Sequence, residues 1–200
     1  MRVIGLTGGI ASGKSLVSRY LRELGAIIID CDQVARDVVR TGSSAWRQIV
    51  QEFGETVCKP DGSLDREALG RIVFSDTEKL DKLNRITHPY IISEIRRLFD
   101  DYRKNFPDAV VVLDAPLLLE VGLEGMVDEV WVVYVDYQTQ LERLMKRDGF
   151  SSEEAACRIS SQIPLEEKVK LADHVIDNRG DPEETFLQVR RLWNSLRCNK

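Results

Sequence analysis

Apolar residues in this chain fall into short continuous runs, separated by stretches where they recur at helical spacing. The runs lie at residues 3–6, 26–29, 109–113 and 130–135, with a weaker one at 174–176. They are rich in β-branched side chains and do not alternate with polar ones, which predicts parallel strands covered on both faces. Four of them are followed by an acid, Asp30, Asp114, Asp136 and Asp177. After the first run, Leu16, Val17, Tyr20, Leu21 and Leu24 repeat with a helical period. Strands separated by helices predict an α/β class built on a parallel sheet.

The roughly 75 residues between Asp32 and Ala109 hold no convincing strand, too long a stretch for a simple crossover. Val34, Val38 and Val39 suggest one helix there, and Trp46, Ile49, Val50 and Phe53 another. Leu69, Ile72 and Val73, then Leu80, Leu83 and Ile86, continue the helical pattern. Ile91, Ile95, Leu98 and Tyr102 form a stripe leading back towards the sheet, and Pro60-Asp61-Gly62 marks a turn. This reads as a helical, substrate-binding insertion. A second insertion after Asp136 carries Arg143, Lys146, Arg147 and Arg158, followed by Gln162 and Pro164. Arg143 and Arg147, four apart, share a helix face. Asp181-Pro182-Glu183-Glu184 opens a terminal helix with acids in its first turn.

The most specific chemistry sits between the first strand and the first helix. Gly8-Gly9-Ile10-Ala11-Ser12-Gly13-Lys14-Ser15 is a complete G-x-x-x-x-G-K-[ST] phosphate loop in its required strand–loop–helix context. A chance match of the pattern in a chain this long has a probability on the order of one per cent. Its backbone N–H groups turn inward around an anion, aided by the positive end of the following helix. Lys14 would reach the β- and γ-phosphates and the Ser15 hydroxyl would ligate Mg²⁺.

In open α/β sheets ligands bind at the carboxyl ends of the strands, so Asp30, Asp32 and Asp114 are expected near the nucleotide. Asp32 fits a base that orients an acceptor hydroxyl and takes its proton. It could equally cap a helix beginning at Gln33. Asp114 closes a Walker-B-like strand and would hold Mg²⁺ through a water. Asp136 and Asp177 suit helix caps or turns better. Arg143, Arg147 and Arg158 would neutralise charge on a transferred phosphoryl group, or simply lie on a solvated face. His88, before Pro89, is read either as a contact to an anionic substrate or as a structural residue at a helix end.

Composition narrows the partners. The formal net charge of −5 over 200 residues argues against a general nucleic-acid binder. No stretch approaches the roughly 18 apolar residues of a membrane span. The chain enters a strand at once, without a leader, and Cys198-Asn199-Lys200 matches no common address. Cys31, Cys58, Cys157 and Cys198 form no C-x-x-C pair, which fits a reducing cytoplasm rather than a disulfide framework or a zinc site. A guanine-reading N-K-x-D is absent, which argues against a GTPase-like switch. A nucleoside or nucleotide kinase, or a non-catalytic nucleotide-binding module, remains open.

These blocks together resemble the dephospho-CoA kinase family. The resemblance runs in order through residues 5–15, Ile29-Asp30-Cys31-Asp32 with Ala35-Arg36, and Thr87-His88-Pro89. It continues through residues 113–120, residues 140–144, Arg158-Ile159 with Gln162, and residues 173–178. It implies a P-loop kinase fold and ATP-dependent phosphorylation of the ribose 3′-hydroxyl of dephospho-CoA with Mg²⁺. It also implies a nucleotide-binding core at residues 1–31, 106–137 and 169–200, a helical CoA-binding domain at 32–105 and a lid at 138–168. By position, Asp32 becomes the general base, Lys14 the phosphate clamp and Arg143 a charge stabiliser. Gly8 through Leu16, with Arg147 and Asn178, would hold ATP, Asn178 lying where the family places the adenine. Thr7, Asp32 and His88 fall on the substrate side, or in the case of Thr7 and His88 support the loop. Ser15 and Asp114 fall on the metal. A cytoplasmic monomer or weak oligomer is expected, with no nucleic-acid or membrane partner. Three positions depart from the family pattern: Ala11 where Gly is frequent, Leu16 where Thr is frequent, and Cys31 where a smaller residue is usual.

Overall fold

The computed structural model describes residues 1–198, except the side chains of Arg197 and Cys198. The C-terminal Cys198-Asn199-Lys200 reading therefore lies outside the described residues. Five strands form one sheet: β1 (Arg2–Gly8), β2 (Ile27–Asp30), β3 (Val110–Asp114), β4 (Glu129–Tyr134) and β5 (His174–Asp177). Their order is β2-β3-β1-β4-β5. β1 lies between β3 and β4 and runs parallel to both, and β4 pairs with β5 in parallel. Each strand falls where the apolar runs predict, with ends moved by a residue or two.

The chain divides into two compact units, Met1–Ile29 with everything from Phe106 on, and Asp30–Asn105. In the first, one sheet face contributes Ile4, Leu6, Val112, Trp131, Val133 and Ile176 to a buried core. Helix α1 (Lys14–Glu23) adds Val17 and Leu21 to that core, and the C-terminal helix, Pro182–Cys198, adds Val189, Trp193 and Leu196. On the other face Leu118 and Val127 press on Gly5, where a Cβ would come within 2.9 Å of Leu118. Burial on both faces is why these strands read as continuous apolar runs.

The second unit is helical: α2 (Cys31–Asp37), α3 (Ser44–Phe53), α4 (Arg66–Phe74) and α5 (Thr77–Asn105). Val39, Ala45, Ile49, Val57, Leu69 and Val73 form its core, with Leu80, Leu83, Ile86 and Tyr90 of α5 packed against them. At the expected turn, Asp61 accepts bonds from the backbone N–H and hydroxyl of Ser63. One element differs from expectation. His88 does not stand at a helix end, because α5 runs straight through Pro89. A proline inside a helix removes one backbone bond and costs about 3 kcal/mol. Apolar contacts on both sides of the break, from Leu80 to Tyr90 and then buried Ile95 and Phe99, outweigh that local cost.

Three helices fill the second insertion: α6 (Tyr137–Asp148), α7 (Ser152–Ser160) and α8 (Leu165–Lys170). The terminal helix Pro182–Cys198 is α9. Asp136 caps α6 by accepting from the Thr139 N–H at 2.9 Å, which holds its carboxyl below the usual carboxylate range. Asp177 is a turn residue bonded to the Arg179 N–H and guanidinium, and that arginine likewise lowers its pKa. Both acids thus have the structural roles expected of them.

Candidate active site

β1 ends at Gly8 and α1 begins at Lys14, so the phosphate loop fills the gap between them. Gly13 has a φ of +87°, and a Cβ there would overlap the Asn178 amide. Gly9 is needed for close approach, since its Cβ would come within 2.5 Å of Gln140 Nε2 and 3.1 Å of Leu165. Both backbone polar groups of Ile10 are held. Gln140 Nε2 donates to its carbonyl at 2.7 Å, and its N–H donates to Gln162 Oε1 at 2.8 Å. Asn178 Nδ2 donates to the Ser12 carbonyl at 2.8 Å, and the Thr185 hydroxyl donates to Asn178 Oδ1 at 2.9 Å. α6, the α7–α8 link and the end of β5 therefore each fix one point of the loop.

The loop opens on a cavity of about 510 Å³ that Arg143, Arg147, Pro116 and Gln162 also line. Lys14 makes an ion pair with Asp114, which lies at the end of β3 in register with Leu6 of β1. Arg147 is paired side by side with Asp148 and lowers that carboxyl's pKa. Arg143 has no ion pair among the described residues. A lysine, two arginines and the N-terminal end of α1 around one cavity make a site for a polyanion.

The sequence profile of the dephospho-CoA kinase family matches residues 2–184. The dephospho-CoA kinase of Carboxydothermus hydrogenoformans is 53% identical over 187 residues, which cover 94% of this chain and 90% of that protein. The chain belongs to the dephospho-CoA kinase family. In the same family, the solved dephospho-CoA kinase of Campylobacter jejuni overlays with a TM-score of 0.77 at 29% identity, with complete coverage of both chains. The structure of TT1252 from Thermus thermophilus gives a TM-score of 0.82 at 34% identity, covering 97% of this chain and 96% of that one.

The structure gives several of the expected site residues definite surroundings. Thr7 is fully buried and its hydroxyl donates to the Pro116 carbonyl, so it supports the loop after β3, the second of the two roles expected of it. Asn178 is 4% exposed, with its amide turned onto Ser12 and Thr185. It braces the phosphate loop, because a buried amide must satisfy its polar atoms within the protein. Asp32 is not a cap. α2 starts at Cys31, and Asp30 is the cap, accepting from the N–H groups of Asp32 and Gln33. The Asp32 carboxylate is exposed and has no partner among the described residues.

Gly8–Leu16, Asp114, Arg143, Arg147 and Asn178 come together in the first unit, whereas Asp32 and His88 belong to the second. Arg158 covers the Phe150 ring at 4.2 Å. His88 lies half-buried in a groove of about 1020 Å³ along α5, with Asn84, Arg85, Ser93 and Arg96.

Sequence reasoning misses two supports. Gln140 is buried within a helix whose pattern looks solvated. Lys168 is fully buried, paired with Glu120 at 2.7 Å and donating to the Pro116 carbonyl at 3.0 Å. In Glu166-Glu167-Lys168 nothing distinguishes that lysine from a surface one.

Proposed function

We propose that this protein transfers the γ-phosphoryl group of ATP to the ribose 3′-hydroxyl of dephospho-CoA, giving CoA and ADP, the last step of coenzyme A biosynthesis. The observation that carries the reading is the loop cavity, which Lys14, Arg143 and Arg147 line together with the loop residues Gly9 to Ser15. It occurs in a chain matching its family from residue 2 to 184.

Lys14 leaves Asp114 for the β- and γ-phosphate oxygens when ATP arrives, exchanging one charge partner for another. The exposed Ser15 hydroxyl and the released Asp114 carboxylate are hard oxygen donors, a set that fits Mg²⁺. Bound there, Mg²⁺ would supply charge neutralisation to the nucleotide phosphates. Arg143 stabilises negative charge as the phosphoryl group moves, and Arg147 joins it on leaving Asp148. Asp32 takes the proton of the 3′-hydroxyl, and its unpartnered carboxylate supports that role. The helical unit takes the acceptor along the α5 groove, where Arg85, His88 and Arg96 suit its phosphates. Residues 138–168 act as a lid. No described helix is long and apolar enough to cross a membrane.

The test is ADP release with ATP and Mg²⁺ across candidate acceptors. Dephospho-CoA should support turnover, and nucleosides and nucleoside monophosphates should not. Turnover of a nucleoside with none of dephospho-CoA would sink this reading.

A further inference from the structure

We infer that the side-chain NH₂ of Gln162 is a hydrogen-bond donor to the terminal phosphate of bound ATP, a contact that rests on the ATP-dependent reading above. Gln162 Oε1 accepts from the Ile10 N–H at 2.8 Å. A backbone donor needs an acceptor, so this bond fixes which end of the amide is oxygen. The nitrogen is then held about 2.3 Å from that oxygen by the planar amide. It has no protein partner among the described residues, and Gln162 lines the same cavity as Lys14, Arg143 and Arg147.

The backbone carrying Gln162 is fixed independently of its side chain. The neighbouring Ile163 N–H donates to Glu120 Oε1 at 3.2 Å. Glu120 is in turn paired with the fully buried Lys168. The carbonyl of Ile10, in the next peptide group, is gripped by Gln140. Gln162 thus takes up one backbone donor of the loop and leaves a neutral donor on the lining of the cavity. A preorganised donor of this kind acts most where charge develops during transfer. ADP lacks the phosphate it would meet.

That difference supplies the test. Gln162→Glu keeps an oxygen for the Ile10 N–H but replaces the donor with a negative charge. ATP and ADP affinities are measured without acceptor, so they stay interpretable even if dephospho-CoA proves to be the wrong acceptor. For Gln162→Glu, ADP affinity should stay within about 3-fold, ATP affinity should fall at least about 10-fold, and turnover about 100-fold. Gln162→Ala, which loses brace and donor together, should weaken both nucleotides. In the unaltered protein, the Gln162 side-chain amide NMR signal should shift with a non-hydrolysable ATP analogue and not with ADP. A Gln162→Glu enzyme turning over within about 3-fold of the parent, parallel loss of ATP and ADP affinity, or an amide signal indifferent to the γ-phosphate would each reduce Gln162 to a brace of the loop.

Discussion

Ala11 carries the only positive φ among the described residues other than glycine, +59°. An L-side chain in that region costs about 1–2 kcal/mol. Replacing alanine by glycine also loosens the unfolded chain, which offsets about 0.4–1 kcal/mol of the relief. Ala11→Gly should therefore stabilise the protein by about 0.5–1 kcal/mol, read as an upward shift in a denaturant midpoint.

Two charged residues permit similarly local expectations. Asp32→Asn should leave ATP affinity in place while turnover falls by about 100-fold or more, the loss expected of a removed base. Near-normal turnover would remove Asp32 from that role. Arg143→Ala should lower kcat more than it weakens ATP, since its charge matters most in the transition state. Nucleotide titration beside steady-state kinetics separates the two effects. The sequence places both residues but leaves their surroundings open. That Asp30 takes the cap and leaves Asp32 unpartnered depends on a one-residue difference in where α2 begins.

At the scale of elements, α8 is attached to the loop after β3 by Lys168, whose ammonium reaches both Glu120 and the Pro116 carbonyl. Removing one partner of a buried pair leaves the other charge uncompensated, at about 3–5 kcal/mol. Lys168→Met should destabilise the protein by that amount, and adding Glu120→Gln should recover part of it in chemical denaturation. Strand positions are legible because an apolar run covered on both faces has few other uses. Helix α5 is less so. Pro89 reads as a boundary, and only packing on both sides shows the helix continuing. Lys168 is illegible for a related reason: a lysine's burial depends on what α8 packs against.

Across the whole molecule, carboxylates in both units are held below their ordinary pKa. Asp65 and Asp76 are lowered by backbone N–H groups at the starts of α4 and α5, as Asp136 is at α6. Asp148 and Asp177 are lowered by the arginines beside them. A carboxylate with a folded pKa below its unfolded 3.8 contributes stability above that value and loses it as pH falls through the folded one. The thermal midpoint should therefore stay nearly level from about pH 7 to 5 and drop below about pH 4. Circular dichroism melts across that range check it, and a midpoint unchanged down to about pH 3 would contradict it.

The sequence alone determined the α/β class, the strand positions, the phosphate loop and the family, since these rest on periodicity and on residues adjacent in the chain. Tertiary structure decided what crosses between elements. Thr7 and Asn178 became braces of the site, and Gln140, Gln162 and Lys168 joined its frame. A polar side chain's role depends on which partners it meets and how much water it loses. Those partners lie as many as 166 residues away along the chain, beyond what any local pattern records.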